Sequence, residues 1–432
     1  MQLKINNVAK IREADIDIDG ITVIAGENNT GKSTIGKLIF AIFNSMSNME
    51  EKIQQEKNNE IDQIISLLLQ NYAVQSGLSP VEYRRRYELP LRRRFSEQVI
   101  KKVQNGNVRD IRKTIAELLN AYPNFFKDLD ITFEFVEECS EKLESILNVS
   151  DRKIMVEVIT RWFNQVFENQ LSPLSEEAVT SKLELIIKEQ SLKFTFEEDT
   201  CVEWDSNINL IHQAFYIDNP FVVDYMSSGY IRAIMKTTDS HLIKNLRREE
   251  EDIFDSAFNT VLVKDKLSEV YDMLKNIVGG EIIESPDREY YLNSNQYARP
   301  INIKNLSTGL KSFALIKKLL ENGSLKEKDV LVLDEPEIHL HPEWQLAYAE
   351  LIVLLQKKFD LTIVITTHSP YFLDAIDVFS AKHEVSDKVN YYLAENDGKV
   401  SYLKNVTDHI DAIYKKLSDP MQELENIRST LR

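Results

Sequence analysis

The sequence predicts an α/β fold: a mixed sheet with flanking helices, built from both ends of the chain and interrupted by a mainly helical insertion. Three observations carry this. An apolar run near the N-terminus opens into a Gly-bounded loop and then a helical pattern. Two apolar runs near the C-terminus close on adjacent carboxylates and on a histidine, and the long stretch between the ends reads mostly at helical period. With 43% hydrophobic and 28% charged residues, and 12 Gly and 11 Pro in 432 positions, the chain has material for a sizeable core. That is not the composition of a disordered polypeptide.

Taken in order, Gln2 to Ile5 and Ile11 to Ile18 alternate as strands. Ile21 to Ala25 is a short apolar strand leading into Gly26-Glu27-Asn28-Asn29-Thr30-Gly31-Lys32-Ser33-Thr34, and Ile35 to Phe43 follows at helical period. The loop matches G-x-x-x-x-G-K-[ST] in the strand-then-helix setting that makes such a match meaningful. Glycines at both ends let successive backbone N–H groups face phosphate oxygens, and the helix N-terminus adds its positive dipole end. Lys32 is then expected to reach the β- and γ-phosphates of ATP, and Ser33 to hold Mg²⁺.

The stretch from 49 to 190 is expected to be a helical insertion. Ile61, Ile64, Ile65, Leu68 and Leu69 share one helical face, as do Val158, Ile159, Trp162, Phe163, Val166 and Phe167 in a later helix. No heptad is sustained for the many turns a long coil requires, so a compact helical body is expected rather than a coiled-coil arm. Within it stand Arg84, Arg85, Arg86, Arg92, Arg93 and Arg94, interleaved with Tyr83, Tyr87 and Phe95. Such a tract suits a nucleic-acid backbone with stacked bases, an acidic patch on a partner protein, or a merely solvated face; the sequence leaves all three open. The run Leu246 to Asp252 is mixed in sign and reads as a solvated helix.

The second half, 191–405, is expected to return to the sheet. Ala214 to Ile217 is a strand followed by the turn Asp218-Asn219-Pro220. Asn305-Leu306-Ser307-Thr308-Gly309-Leu310-Lys311-Ser312 precedes a helical stretch, Phe313 to Leu320. Asp329 to Leu333 is an apolar strand closed by Asp334-Glu335-Pro336, a layout in which Asp334 positions Mg²⁺ and Glu335 polarises the attacking water. Alternation along a strand is expected to aim the two carboxylates differently. Leu361 to Thr367 is another buried strand, ending at His368-Ser369-Pro370. A hairpin, Val389 to Leu403, and a terminal helix in 406–432 complete the pattern.

These parts, in this order, resemble an ABC-type ATPase head. Leu306-Ser307-Thr308-Gly309 is similar to the ABC signature, whose serine and glycine bind the phosphate held by a second subunit's loop. The resemblance therefore implies a homodimer or larger homo-oligomer with ATP between the heads. His368 matches the switch histidine that contacts the γ-phosphate, and Gln213 is a weak match for the glutamine linking Mg²⁺ to the insertion. Most of the chain separates Lys32 from Ser307, unlike a transporter subunit. The tracts Asp334 to Pro342 and Thr367 to Pro370 resemble the OLD-like and RecF-like ATPases, and among them the stand-alone ATPases of bacterial anti-phage systems of the Septu or PARIS type. That implies regulation of a separate effector, a nuclease. OLD proteins continue into a Toprim nuclease of roughly 100 residues, for which Tyr371 to Arg432 is too short. An alternative carried by the same resemblance is a RecF-like DNA repair or recombination ATPase that loads on DNA; another, from a different class, is a scaffold that holds ATP without turnover and cages a toxin.

Net charge of −17 argues against wrapping nucleic acid over a broad surface. No apolar window approaches the roughly 20 residues that cross a bilayer, and the N-terminus lacks a signal-peptide layout. Cys139 and Cys201 make no disulfide framework, so a cytoplasmic location without membrane partners is expected. His339 and His341 have no third ligand at zinc spacing and read as part of a loop that meets the opposite head.

Overall fold

The computed structural model describes residues 1–77, 79, 90–104, 111–121, 133–173, 175, 179–227, 235–247 and 266–430. Arg84, Arg85 and Arg86 lie outside them, as does the run after Arg247; Arg92, Arg93 and Arg94 fall in the helix Pro90–Gln104. The chain divides into two compact units, Met1–Ser47 with Ile159–Arg432, and Asn48–Val158. The α/β expectation holds, with a large mixed sheet and a helical insertion.

The elements run β1 (Gln2–Val8), β2 (Ile11–Asp17), β3 (Ile21–Gly26) and α1 (Lys32–Met46), then α2 (Met49–Gln75), α3 (Pro90–Gln104), α4 (Ile111–Ala121), α5 (Phe133–Leu147) and α6 (Asp151–Phe167). There follow β4 (Ser181–Ile187), β5 (Gln190–Glu197), β6 (Thr200–Ser206), β7 (Ala214–Ile217), α7 (Thr237–Leu246) and α8 (Ser268–Val278). The rest are β8 (Glu281–Glu284), β9 (Tyr290–Asn293), β10 (Ile301–Asn302), α9 (Thr308–Glu321), β11 (Val330–Asp334), α10 (Pro342–Phe359), β12 (Thr362–Thr367), α11 (Pro370–Lys382), β13 (Val389–Asp397), β14 (Val400–Asn405) and α12 (Asp411–Thr430).

Among the described residues, eleven strands form one sheet in the order β6-β5-β4-β1-β2-β14-β13-β3-β12-β11-β7. From β13 to β7 neighbouring strands are parallel. β3 and β11 are buried at every position, as expected of parallel strands covered on both faces. Parallel register brings several carboxyl ends to one edge: Gly26 lies opposite Ala394, Thr367 opposite Ala25, Asp334 opposite Thr366, and Leu333 opposite Ile217. α1 closes over β7 and β11 with Ile35, Leu38, Ile39 and Phe40 inward. In open α/β sheets such a carboxyl edge is where ligands bind.

The other half, β6-β5-β4-β1-β2, is antiparallel. β4 begins at Ser181, inside the stretch expected to be helical, and is a correction. Leu183 and Leu185 point inward while Lys182 and Glu184 do not, a period of two that a helix cannot bury. Phe194 and Phe196 of β5 meet Phe163 at ring distances of 5.7 and 4.8 Å.

In the smaller unit Ile61, Ile65, Leu68 and Leu69 of α2 are buried against Phe95 and Val99 of α3, Ile115 of α4, and Phe135 and Leu143 of α5. Cys139 and Cys201 are buried free thiols, and burial pushes both up to about 12, which keeps them protonated and unreactive. Among the described residues no helix is long and apolar enough to cross a membrane.

Candidate nucleotide and hydrolysis site

The loop after β3 is shaped by its glycines. Gly26 has φ +154°, and a Cβ there would lie 2.4 Å from the Ala394 carbonyl oxygen; Gly31 enters α1 from the left-handed region at φ +82°. Between them Thr30 Oγ1 donates to the Glu27 carbonyl at 2.8 Å, while Glu27, Asn28 and Asn29 face solvent. Lys10 Nζ braces the loop from the β1–β2 turn at the Asn29 carbonyl (2.6 Å), and Lys416 of α12 pairs with Glu27 at 3.0 Å. Lys32 folds back under the loop onto the carbonyls of Gly26 (3.0 Å) and Glu27 (2.8 Å). Burial lowers its ammonium below the ordinary lysine value, against the pull of Glu335, Asp334, Glu337 and Glu27. A desolvated cation beside a helix N-terminus is a strong donor site for phosphate oxygens.

Ser33 and Thr34 sit in the first turn of α1, half-buried. Ser33 Oγ donates to Asp334 Oδ1 at 3.0 Å, joining the two ends of the chain. Asp334 also accepts from Thr366 Oγ1 and, on Oδ2, from Tyr216 Oη at 2.5 Å. Burial, then Asp334 itself, holds the Tyr216 hydroxyl well above its ordinary value, so it remains a donor.

Glu335 corrects the reading from strand alternation. β11 ends at Asp334, and Glu335 takes the left-handed region at φ +52°, its N–H held by the Thr366 carbonyl at 3.1 Å. A backbone turn, not the pleat, aims its carboxylate away from Asp334. Glu335 Oε1 lies 3.4 Å from His368 Nδ1 and 3.9 Å from Lys32 Nζ. After it, the 3₁₀ turn Pro336–His339 carries Glu337 back beneath the tips of β11 and β12, where it is 3% exposed.

The donor set tests whether a divalent cation fits. Ser33 and Asp334 present a hydroxyl and a carboxylate, hard oxygen ligands of the kind Mg²⁺ takes together with phosphates and waters. The described donors to Asp334 are all hydroxyls, which rotate. The residues fit the ion.

The remaining residues singled out from the sequence lie elsewhere. Ser307 caps α9, its Oγ accepting from the Leu310 N–H at 3.4 Å. A Cβ on Gly309 would meet Trp344 Cε3 at 2.5 Å, so this glycine also lets α9 close on α10. Lys311, buried on the same helix, donates to Asp224 at 2.8 Å and lies over the Phe221 ring. Among the described residues no hydrogen bond or ion pair joins Ser307 or Gly309 to the 26–34 loop. Gln213 is at the wrong end of the sheet: its N–H meets Asp329 Oδ1 at 3.3 Å and its carbonyl accepts from Val330, at the start of β11. With β7 and β11 parallel, Gln213 is level with Asp329, five residues or about 16 Å from Asp334. His339 packs edge-on against Phe221, and His341 precedes α10; both are exposed.

Three residues of the site had no role assigned from sequence: Tyr216, Thr366 and Glu337. Each lies inside a segment already noted, as a polar side chain among apolar or turn residues. That was the only local signal. Their partners lie 118, 32 and 30 positions away.

A family model described as an AAA ATPase domain matches residues 1–373. Among solved structures the chain is similar to the SMC head domain from Thermotoga maritima, at 12% identity and TM-score 0.39, covering 94% of this chain and 98% of that one. It is similar also to an Smc head domain from Pyrococcus furiosus, with an extended coiled coil and bound to the C-terminal domain of ScpA, at 12% identity and TM-score 0.33 over 99% and 98%. A third, the Smc head domain with a coiled coil and joint from Pyrococcus yayanosii, has 11% identity and TM-score 0.38 over 97% and 99%.

Proposed function

We propose, from the premise that the chain belongs to the AAA ATPase domain family, that it hydrolyses ATP at the carboxyl edge of its parallel strands, and that paired heads use the nucleotide to control a separate effector. The observation that carries the hydrolytic reading is the meeting of Lys32, Ser33, Asp334, Glu335 and His368 in one crevice. Loop N–H groups and Lys32 hold the β- and γ-phosphates. Ser33 and Asp334 hold Mg²⁺, which when bound neutralises phosphate charge. Glu335 takes a proton from the attacking water. His368, beside Glu335, contacts the γ-phosphate and orients that carboxylate.

Ser307 and Gly309 serve the second copy's nucleotide. Their position apart from the chain's own loop supports an ABC-type sandwich in which ATP joins two heads. The motif resemblance favours a nuclease as the effector and anti-phage defence as the setting. The arginine tract, as a basic cluster in an acidic chain, favours a second reading: a RecF-like ATPase that touches DNA directly. The scaffold reading differs from both in having negligible turnover.

The test is phosphate release by wild type beside Glu335→Gln and Lys32→Ala, with light scattering to follow assembly. The proposal expects Mg²⁺-dependent turnover lost in both variants, and an ATP-trapped dimer or larger ring for Glu335→Gln. That trapped form is the bait for the effector. Strong stimulation by DNA would move the reading to the RecF-like alternative. ATP binding without turnover, with or without DNA, would sink the hydrolytic reading and leave the scaffold.

A further inference from the structure

One buried acid in the crevice has no part in the chemistry above. Glu337 is 3% exposed, and its Oε1 accepts from Thr367 Oγ1 at 2.5 Å and from the His368 N–H at 3.3 Å. Thr367 Oγ1 in turn accepts from the Ser369 N–H at 3.0 Å, which commits the hydroxyl proton to Glu337. The other end of the residue is also tied. Its carbonyl accepts from the Leu340 N–H at 3.0 Å and from Gln345 Nε2 at 3.2 Å. Among the described residues, Glu337 Oε2 has no hydrogen-bond partner although it is buried.

This is a costly way to tie a turn. A buried carboxylate with one oxygen unsatisfied costs free energy that a neutral side chain in the same place would not. Burial accordingly raises Glu337 above the ordinary carboxylate value. Buried polar atoms left without partners cluster where a site needs them. The turn held here carries His368, whose own side chain is 42% exposed and so is not fixed by packing. Two contacts orient that ring: Glu335 Oε1 at 3.4 Å and Glu337 Oε1 at 4.0 Å from Nδ1.

We propose that Glu337 is a positioning residue for hydrolysis: through Thr367 and the His368 N–H it holds the turn after β12 so that the His368 imidazole faces Glu335. This rests on the hydrolytic reading above. In this role Glu337 acts through His368, by way of Thr367 and the His368 N–H.

Four variants test it: Glu337→Ala, Glu337→Gln, His368→Ala and the double variant Glu337→Ala/His368→Ala, each measured for kcat and KM with ATP. Alanine at 337 is expected to lower kcat about 10- to 100-fold with KM within about twofold, since displacing a reacting group by an ångström costs on that order. Glutamine keeps an oxygen acceptor for Thr367 and His368 and is expected to restore kcat to within about threefold of wild type. In the His368→Ala background, Glu337→Ala is expected to add nothing, the signature of one residue acting through another. Multiplicative losses in the double variant, or a folded glutamine variant as impaired as alanine, would overturn the proposal. Should Glu337→Ala fail to fold, Thr367→Val, which removes one arm of the anchor, replaces it in the cycle. A second readout needs no turnover: the Cε1–Hε1 NMR cross-peak of His368 in ¹³C-histidine-labelled full chain. It is expected to move in Glu337→Ala and stay in Glu337→Gln. If wild type hydrolyses no ATP, the function proposed above fails by itself, and an unmoved cross-peak still rejects the positioning role.

Discussion

The two ends of strand β11 each carry a buried aspartate, and they are bonded in opposite ways. At the start, Asp329 accepts from the backbone N–H groups of Lys326 (2.8 Å) and Gln213 (3.3 Å) and pairs with His212 at 3.4 Å. At the finish, Asp334 accepts from the hydroxyls of Ser33, Thr366 and Tyr216. Backbone donors are fixed by the fold and cannot leave, whereas a hydroxyl can turn its proton elsewhere and offer a lone pair instead. The first aspartate ties a loop. The second, in the function proposed above, would exchange its partners for a cation. Burial is therefore a poor guide to which acid is functional; the kind of donor is a better one.

The sharpest test of the contrast lies at the exchanging end. Replacing Glu335 with Gln is expected to cut turnover by about 10²- to 10⁴-fold, the range for loss of a general base, with ATP affinity retained. Phosphate release and nucleotide titration read it. Replacing Asp334 with Asn is expected to abolish Mg²⁺-dependent strengthening of nucleotide binding, while the melting temperature without nucleotide holds or rises. A carboxylate is then removed from a crowd that includes Glu335 and Glu337. A large loss of stability would put Asp334 with Asp329 and break the comparison.

At the structural end the signs reverse. Asp329→Ala strands the N–H groups of Lys326 and Gln213, so a loss of about 1–3 kcal/mol in urea unfolding is expected, with turnover within about twofold. Burial, against the Lys326 and Gln213 N–H groups and His212, raises Asp329 above the ordinary carboxylate value. The native state thus holds this proton more tightly than the unfolded chain. The stabilisation is full below the ordinary carboxylate range and declines as pH rises through the raised native value. The cost of Asp329→Ala should accordingly shrink as pH rises from the ordinary carboxylate range through the raised native value, by less than the cost itself. A cost that grows with pH would show that hydrogen bonding outweighs burial there. Gly309→Ala supplies the last case, a packing glycine in a motif segment: overpacking against Trp344 is expected to cost about 1–3 kcal/mol. Loss of turnover beyond what the lost stability explains would be the share owed to the phosphate contact proposed for Gly309.

What the sequence determined alone was whatever depends on neighbours in the chain. The apolar run Ile21 to Ala25 before Gly26, the Gly31-Lys32-Ser33 entry to α1, and the strands ending at Asp334 and Thr367 are all written in contiguous residues and short periods. Their order along the chain, through its resemblance to an ABC-type head, gave the expectation that they share one site. The tertiary structure alone decided which polar groups meet there. Parallel register put Gln213 at the start of β11 and Tyr216 level with Val332, from where its hydroxyl reaches Asp334, although the two residues are separated by only two others in β7 and its approach. The left-handed turn at Glu335, with its N–H on Thr366, redirected one acid and sent Glu337 inward. Pairing across strands depends on register and on chain direction, and neither quantity is stored in any local window of residues.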